Sequence, residues 1–267
     1  QGLPQGQWSV GYLYDYGCGE EEFNNNFKEA LYWYKLASEQ GFAKAYLSIG
    51  DLYYYGDGFN FDYNEAIRWY ELARQDNPTE AILGISNVKT EMGKYSEVIL
   101  ELEELLKSGI LLEDYLGRIE TLFTLADTYT ELSKPLKSIK IYRSILEVLK
   151  INNEELKKIG FYTHYEFRAK VNLGIQLVVV NNFKDAEENF LSAREIVDEL
   201  DPGNTWENGN LLGNFGFLYS KWGKYEQSVD YYTSAIEIFE ICCTDAPRKA
   251  LYIGNLAEDY QKIGRTS

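Results

Sequence analysis

The most constraining feature of this sequence is that it repeats itself. Residues 50–73, GDLYYYGDGFNFDYNEAIRWYELA, echo residues 11–37, GYLYDYGCGEEEFNNNFKEALYWYKLA. Weaker copies of the same pattern follow to the end of the sequence, and the last of them is incomplete. Self-similarity at a fixed period is typical of a solenoid, in which each unit buries its apolar face only against its neighbours. The repetition therefore predicts a solenoid and argues against a catalytic fold.

One well-defined unit shows that the repeats are pairs of helices. Apolar and small residues recur at i, i+3, i+4 and i+7 from Leu212 to Tyr219, which predicts an amphipathic helix. Gly223 then supplies a left-handed cap, and a second helix carrying Tyr232 follows. The small Gly216 lets the two helices approach closely, while Tyr232 fills the space between them. The predicted fold class is therefore all-α, built from antiparallel helix pairs.

The later units share a small residue in the first helix of each pair. These residues lie 40, 48, 42 and 41 positions apart, at Ser86, Ala126, Gly174, Gly216 and Ala257. The pattern resembles the tetratricopeptide repeat (TPR), a helix-turn-helix unit of 34 residues in its minimal form. The longer intervals resemble the extended repeats of kinesin light chains and of bacterial peptide-sensing regulators. Three positions depart from the pattern: Lys89 replaces an aromatic residue, Pro135 begins a helix, and Asn181 is expected to adopt a left-handed turn.

The first two units differ from the rest. They carry glycines after the first helix and then a small residue followed by an aromatic pair, as in Gly56, Gly58, Ala66, Trp69 and Tyr70. This pattern resembles the Sel-one-like repeat, a close TPR relative. We expect two Sel-one-like repeats in residues 1–78 and about five TPR-like repeats, the last incomplete, in residues 79–267. The resemblance implies one continuous right-handed α-solenoid superhelix, and the incomplete end predicts a fragment of a longer protein.

Composition narrows the classes of partner. The formal net charge is -16 and the isoelectric point is near 4.6; an acidic chain disfavours nucleic acid, whose phosphates require clustered Lys and Arg. The odd cysteine count, with Cys18, Cys242 and Cys243, fits no disulfide or zinc framework and predicts a cytoplasmic protein. No apolar run of about 18 residues predicts a membrane span. The sequence implies no cofactor and leaves the oligomeric state open.

The sequence contains only weak signals for catalytic or metal-binding residues. The G-x-G segments lack the preceding strand and the third glycine of a dinucleotide fingerprint. The acidic run 20–22, with Asp15 nearby, matches no calcium loop. His164, the sole histidine, has no partner at a motif spacing. We therefore predict that the protein is not an enzyme and has no metal site.

Three asparagines occupy one register in the last three units. Asn172, Asn214 and Asn255 each lie two residues before the small residue of the first helix. An amide offers donors and an acceptor and can pair with a peptide main chain. The arrangement resembles the asparagine ladder of kinesin light chains and peptide-sensing TPR regulators, which implies that it lines a concave groove. The alternative is that each asparagine bridges neighbouring helices.

Two further side chains are expected on the same side as the asparagines. Arg168 would bind a carboxylate, and Phe217 would provide an apolar anchor. Gly213 and Gly254 directly precede two of the asparagines and are expected to leave room for a ligand.

The predicted function is a scaffold that binds a partner protein or an extended peptide in its concave groove. Two alternatives stay open at this point. The chain could be the sensor or regulatory repeat region of a larger effector, for example a CHAT-type protease, or it could be a receptor for a signalling peptide.

Overall fold

The computed structural model describes residues 2–17, 26–56, 61–151, 153–158, 160, 162–200, 206–242 and 247–264. These residues form helices and no strands, so the all-α, α-solenoid class predicted from the repeats is confirmed. No helix among them is long and apolar enough to cross a membrane. The helices are α1 (Pro4–Tyr16), α2 (Phe27–Ser38), α3 (Ala43–Tyr55), α4 (Tyr63–Ala73), α5 (Pro78–Glu91), α6 (Tyr95–Lys107), α7 (Tyr115–Glu131), α8 (Pro135–Ile151), α9 (Asn153–Lys158), α10 (Tyr162–Val179), α11 (Phe183–Leu200), α12 (Trp206–Lys221), α13 (Tyr225–Cys242) and α14 (Pro247–Lys262).

The chain forms two compact units, unit 1 (Gln1–Thr128) and unit 2 (Tyr129–Ser267). In unit 1, α1 packs on α2, α3 on α4 and α5 on α6, and each pair contacts the next. In unit 2, α10 pairs with α11 and α12 with α13, while α14 packs against both α12 and α13. The short helix α9 lies between α8 and α10 in the chain. It accounts for the long interval between the small residues Ala126 and Gly174.

The turn between the two helices of a TPR-like pair is the same in four units. A residue with positive φ follows the first helix, and the next backbone N–H returns to a carbonyl five residues earlier. This is the Schellman arrangement, which satisfies the free carbonyls of a helix end. The predictions for Asn181, Gly223 and Pro135 are confirmed. The four positive-φ residues are Gly93, Ser133, Asn181 and Gly223.

Glycines in the first helices make room for aromatic rings of the second helices. At Gly216, a Cβ atom would lie 2.6 Å from a ring carbon of Tyr232, and at Gly50 it would lie 2.5 Å from a ring carbon of Tyr70. Carbon atoms ordinarily approach to about 3.5–4.0 Å, so neither position accepts a larger residue without a shift. Gly84 faces Tyr70 as well, at 2.8 Å. The predicted packing of Gly216 against Tyr232 is thus confirmed.

The residue that replaces an aromatic side chain in the third unit forms ion pairs instead. Lys89 Nζ lies 3.0 Å from Glu101 Oε2, and Arg74 Nη2 lies 2.9 Å from Glu101 Oε1. Only 13% of the Glu101 side chain is exposed. The network therefore connects the C-terminal end of α4, where Arg74 follows the last helical residue, with α5 and α6 through one largely buried carboxylate.

Two buried tyrosines of unit 1 donate hydrogen bonds to aspartates. Tyr34 Oη donates to Asp15 Oδ2 at 2.9 Å, and Tyr70 Oη donates to Asp51 Oδ1 at 2.7 Å. Burial raises the pKa of Asp51 to about 6, although the Tyr70 hydrogen bond opposes that shift and the Asp15 charge adds to it. Asp51 therefore binds a proton more strongly in the folded protein than in the unfolded chain.

This raised pKa predicts a pH-dependent stability for unit 1. The contribution of Asp51 to the free energy of unfolding is fully present below about pH 4, where Asp51 is also protonated in the unfolded chain. It is lost as the pH rises through 6. Since Asn carries no charge but can still accept the bond from Tyr70, we expect Asp51→Asn to stabilise the protein by about 1–2 kcal/mol at pH 7.5. The gain should vanish below pH 4. Urea unfolding across this range measures it, with the exposed Asp76→Asn as the control; a gain independent of pH would contradict the prediction.

Candidate functional site

The three asparagines lie on three helices of unit 2 that succeed one another in space. Asn172 is on α10, Asn214 on α12 and Asn255 on α14, and α12 contacts both of the other helices. All three occupy the same register relative to the small residue of their helix. They form the candidate site, here called the asparagine row.

The members of the row differ in burial and in partners. Asn255 is half-buried, and its Nδ2 donates to Tyr232 Oη at 3.1 Å. This bond connects α14 to α13 and matches the structural alternative for this residue. Asn214 is only 9% exposed, while Asn172 is half-buried. A ligand would therefore meet the edges of these amides rather than projecting side chains.

The orientation of the Asn255 amide is set by its tyrosine partner. An amide offers two N–H donors and one oxygen acceptor, and the bond to Tyr232 uses one of the donors. Burial raises the pKa of Tyr232, which keeps its hydroxyl neutral. The hydroxyl oxygen accepts from Asn255, and because the group keeps its proton it can also donate a hydrogen bond.

The two side chains predicted beside the asparagine row, Arg168 and Phe217, differ from each other in their surroundings. Arg168 is half-buried on α10, four residues before Asn172, so the two lie on one face of the helix. Phe217 is also half-buried, and it packs against the apolar cluster that holds α12, α13 and α14 together. Lys221 Nζ lies 5.7 Å from the centre of the Phe217 ring. Phe217 therefore combines a packing contact with partial exposure.

The expectation for Gly213 is wrong. A Cβ atom at Gly213 would lie 2.1 Å from Cζ of Tyr252 on α14, so the missing side chain makes room for a neighbouring helix and not for a ligand. At Gly254, in contrast, no atom lies within 4 Å of a Cβ position, and the residue is exposed. Only Gly254 leaves open space beside the row.

A buried carboxylate, which the sequence pattern did not single out, positions the third helix of the row. Asp259 is fully buried, one turn after Asn255 on α14. Its oxygens accept hydrogen bonds from Ser220 Oγ at 2.8 Å and from Ser228 Oγ at 2.7 Å. Lys262 Nζ lies 3.2 Å from Oδ1. The carboxylate thus ties α14 to α12 and α13 and sets the register of Asn255.

The described residues offer no cluster of three or more His, Cys, Asp or Glu side chains that could bind a metal ion. His164 is exposed on α10 and contacts the ring of Tyr165 edge to face. Cys18, Cys243 and the acidic run 20–22 lie outside the part of the chain that the structure describes.

Comparison with known families identifies both kinds of repeat. Residues 4–42 and 43–77 each match the Sel1 repeat, and residues 165–241 match the tetratricopeptide repeat. The fold and these matches define a helical-repeat protein of a scaffold type. The chain therefore carries two Sel1 repeats and, further along, a tetratricopeptide segment; repeats of these kinds generally mediate protein–protein interaction. The change of repeat type at residue 79 stays a prediction.

Solved structures share the fold at low sequence identity. BtubC (BKLC) from P. vanneervenii has a TM-score of 0.63 and 17% identity, over 76% of this chain and 82% of that one. A Sel1 repeat protein from Oxalobacter formigenes has a TM-score of 0.53 and 19% identity, over 88% of this chain and 87% of the other. YrrB, described as a TPR protein with an unusual peptide-binding site, has a TM-score of 0.51 and 19% identity, over 84% of this chain and 98% of that one. No curated protein matches the sequence.

Proposed function

We propose that this chain is a protein-interaction scaffold that binds an extended segment of a partner protein along α10, α12 and α14. The observation that carries the proposal is the asparagine row, which places an amide at one register on three successive helices. Amides at repeating positions can pair with the N–H and C=O groups of a peptide main chain without demanding its sequence.

Side chains near the row supply the expected specificity. Arg168 lies on the same helix face as Asn172 and would pair with a carboxylate of the bound segment. The exposed part of the Phe217 ring would contact an apolar side chain. The net charge of -16 disfavours nucleic acid as the ligand. We propose that the scaffold acts without catalysis, and that it does so in the cytoplasm.

The structural neighbour YrrB, named for a peptide-binding site, agrees with this proposal at the level of the fold only. The proposal for this chain rests on its own residues. In particular, the bond from Asn255 to Tyr232 leaves the amide oxygen as an acceptor for a peptide N–H.

Removal of two amides tests the proposal. We expect the double variant Asn172→Ala, Asn214→Ala to bind peptides selected by phage display on the wild-type chain about 5- to 30-fold more weakly, since each lost hydrogen bond contributes about 1 kcal/mol. Calorimetric titration measures the affinity, and far-UV circular dichroism should show nearly unchanged helicity. The control is Asn189→Ala on α11, where the amide bonds only the carbonyl of Asp185 one turn earlier. Unchanged affinity in the double variant would make the row structural.

A further inference from the structure

One lysine of unit 2 rests on aromatic rings instead of pairing with a carboxylate of the described residues. Lys224 lies in the turn between α12 and α13, and its Nζ is 3.4 Å from the centre of the Trp222 ring and 5.4 Å from that of Tyr219. The Trp222 ring in turn stacks on Phe183 of α11, with the ring centres 5.6 Å apart. Of the ion pairs that the described ranges contain, none includes Lys224. The ammonium therefore keeps its charge while the rings restrain its position.

The ring contacts do not exhaust the hydrogen-bonding capacity of this lysine. A lysine ammonium has three N–H donors and no acceptor, and its attraction to Trp222 comes from the ring quadrupole. The Lys224 side chain is half-buried and already restrained by two rings. A ligand that pairs with it would therefore meet less of the entropy cost of ordering a long side chain. Lys224 is thus preorganised to bind an anion.

A cleft of about 420 Å³ opens beside Lys224. It lies between the α12–α13 turn, the first turn of α13 and the residue that follows α14. Its lining offers one cation, neutral hydrogen-bond donors in the tyrosine hydroxyl and the glutamine amide, and one apolar side chain. The lining residues are Gly223, Lys224, Tyr225, Glu226, Gln227 and Ile263.

The local charge at this cleft differs from that of the chain as a whole. Residues 208–225 contain two lysines and no acidic residue, although the net charge of the chain is -16. At physiological ionic strength the Debye length is about 8 Å. A group inside the cleft therefore interacts mainly with Lys224 and its immediate neighbours rather than with the net charge.

The carboxylates around the cleft do not neutralise Lys224. Glu187 accepts a hydrogen bond from Tyr219 Oη at 2.5 Å. Asp259 accepts from two serines and pairs with a lysine of its own helix. Glu226 lines the cleft, but it is exposed and lies in the first turn of α13, where the helix dipole favours a negative charge. Glu226 is thus the lining residue that opposes an anion.

We propose that this cleft binds a glutamate side chain in an acidic segment of a partner protein. The carboxylate would pair with Lys224 and accept a further hydrogen bond from Tyr225 or Gln227. The methylene groups of the glutamate would lie against Ile263, as the stems of long charged side chains do on apolar surface.

Charge decides among possible occupants. A single carboxylate matches the one cation of the lining, whereas a nucleic acid requires clustered Lys and Arg. A basic segment would be repelled by Lys224, and a purely apolar segment would leave its charge desolvated. The cleft uses other residues than the asparagine row, so either site can exist without the other.

The test is an NMR titration of the full chain with capped heptapeptides in which alanine alternates with glutamate, glutamine or lysine. The glutamate peptide is expected to bind about 3- to 10-fold more tightly than the glutamine peptide and to shift the amide signals of Gly223 and Gln227. Lys224→Gln should remove that preference, and Glu226→Gln should strengthen binding because it removes a like charge. The control is Lys140→Gln, which changes the net charge equally at an exposed site of α8.

Two substitutions of Trp222 separate the positioning of the lysine from packing. Trp222→Phe keeps an aromatic ring beneath Lys224 and should retain most of the binding. Trp222→Leu keeps an apolar side chain but removes the ring, so it should weaken binding of the glutamate peptide by about 2- to 5-fold. Thermal unfolding of each variant reports whether the helices remain packed. Equal binding by the two variants would mean that the ring does not position Lys224.

The proposal is overturned if the glutamate and glutamine peptides bind alike, if no peptide shifts the signals of the cleft, or if the lysine peptide binds most tightly. It is also overturned if Lys140→Gln weakens binding as much as Lys224→Gln, because the effect would then be one of net charge. Free glutamate that binds as tightly as the peptide would identify a small-molecule site and overturn the assignment to a partner protein. Higher salt should weaken binding of the glutamate peptide.

Discussion

Gly216→Ala is expected to destabilise unit 2 by about 1–3 kcal/mol, the range for an overpacked core. The added Cβ would lie 2.6–2.8 Å from three ring carbons of Tyr232, which is 1% exposed. The ring cannot retreat freely, because its hydroxyl accepts from Asn255 on the next helix. Alanine gains about 1 kcal/mol of helix propensity over glycine, but a clash with a buried ring outweighs that gain. Thermal and urea unfolding measure the effect, and Gly216→Leu should lose more.

Gly254→Ala is the matched control for this prediction. Gly254 lies in α14, and no atom is within 4 Å of its Cβ position. The helix-propensity term then acts alone, so we expect Gly254→Ala to stabilise the protein by up to about 1 kcal/mol. If both alanine variants shift stability in the same direction, steric contact with Tyr232 is not what requires glycine at position 216.

Asp259→Ala is expected to cost about 2–4 kcal/mol and to loosen α14 first. The substitution removes a fully buried carboxylate that accepts from Ser220 on α12 and Ser228 on α13. Hydrogen bonds to charged groups contribute about 1.5–3 kcal/mol each. The loss stays within this range because Ser228 Oγ retains the carbonyl of Gly216 as an acceptor, at 2.7 Å. Hydrogen exchange of the α14 amides, together with thermal unfolding, measures the local and global losses.

Two further variants isolate the role of that carboxylate. Asp230→Ala removes an exposed aspartate of α13 and should change stability by less than about 0.5 kcal/mol. Asp259→Asn keeps an oxygen acceptor and nearly the same volume, so its loss should be smaller than that of Asp259→Ala. If amide hydrogen exchange in α14 rises equally in Asp230→Ala and Asp259→Ala, the Asp259 carboxylate does not hold α14 against α12 and α13.

The helix pairs and their turns could be predicted from the sequence because they depend on local chemistry. Apolar residues at helical spacing define each amphipathic face, and a residue that tolerates positive φ marks each turn, as Gly223 and Asn181 do. Ser133 adopts the same left-handed conformation. Serine is not a strong signal for it, so only the neighbouring Pro135 hinted at that turn.

The sequence predicted which positions of the repeat carry the asparagines, but it did not predict their burial or their hydrogen-bond partners. The common position of the asparagines follows from counting along each repeat, whereas their burial depends on which neighbouring helix covers them. Tyr252 fills the space beside Gly213, and Tyr232 accepts from Asn255. Both tyrosines are more than twenty residues from the group they contact, and the repeat pattern does not specify such pairs.

The sequence by itself determined that this protein is an all-α array of helix pairs with small residues facing aromatic rings, since periodicity and side-chain size act within one repeat. The tertiary structure alone decided which polar groups are buried and how they are compensated. Asp15 lies four residues after Gly11 and Asp51 one residue after Gly50, yet both meet the hydroxyl of a tyrosine nineteen residues further on. The physical reason is that a buried carboxylate needs a donor nearby in space, and distance in space follows from how helices stack rather than from the period of the repeat.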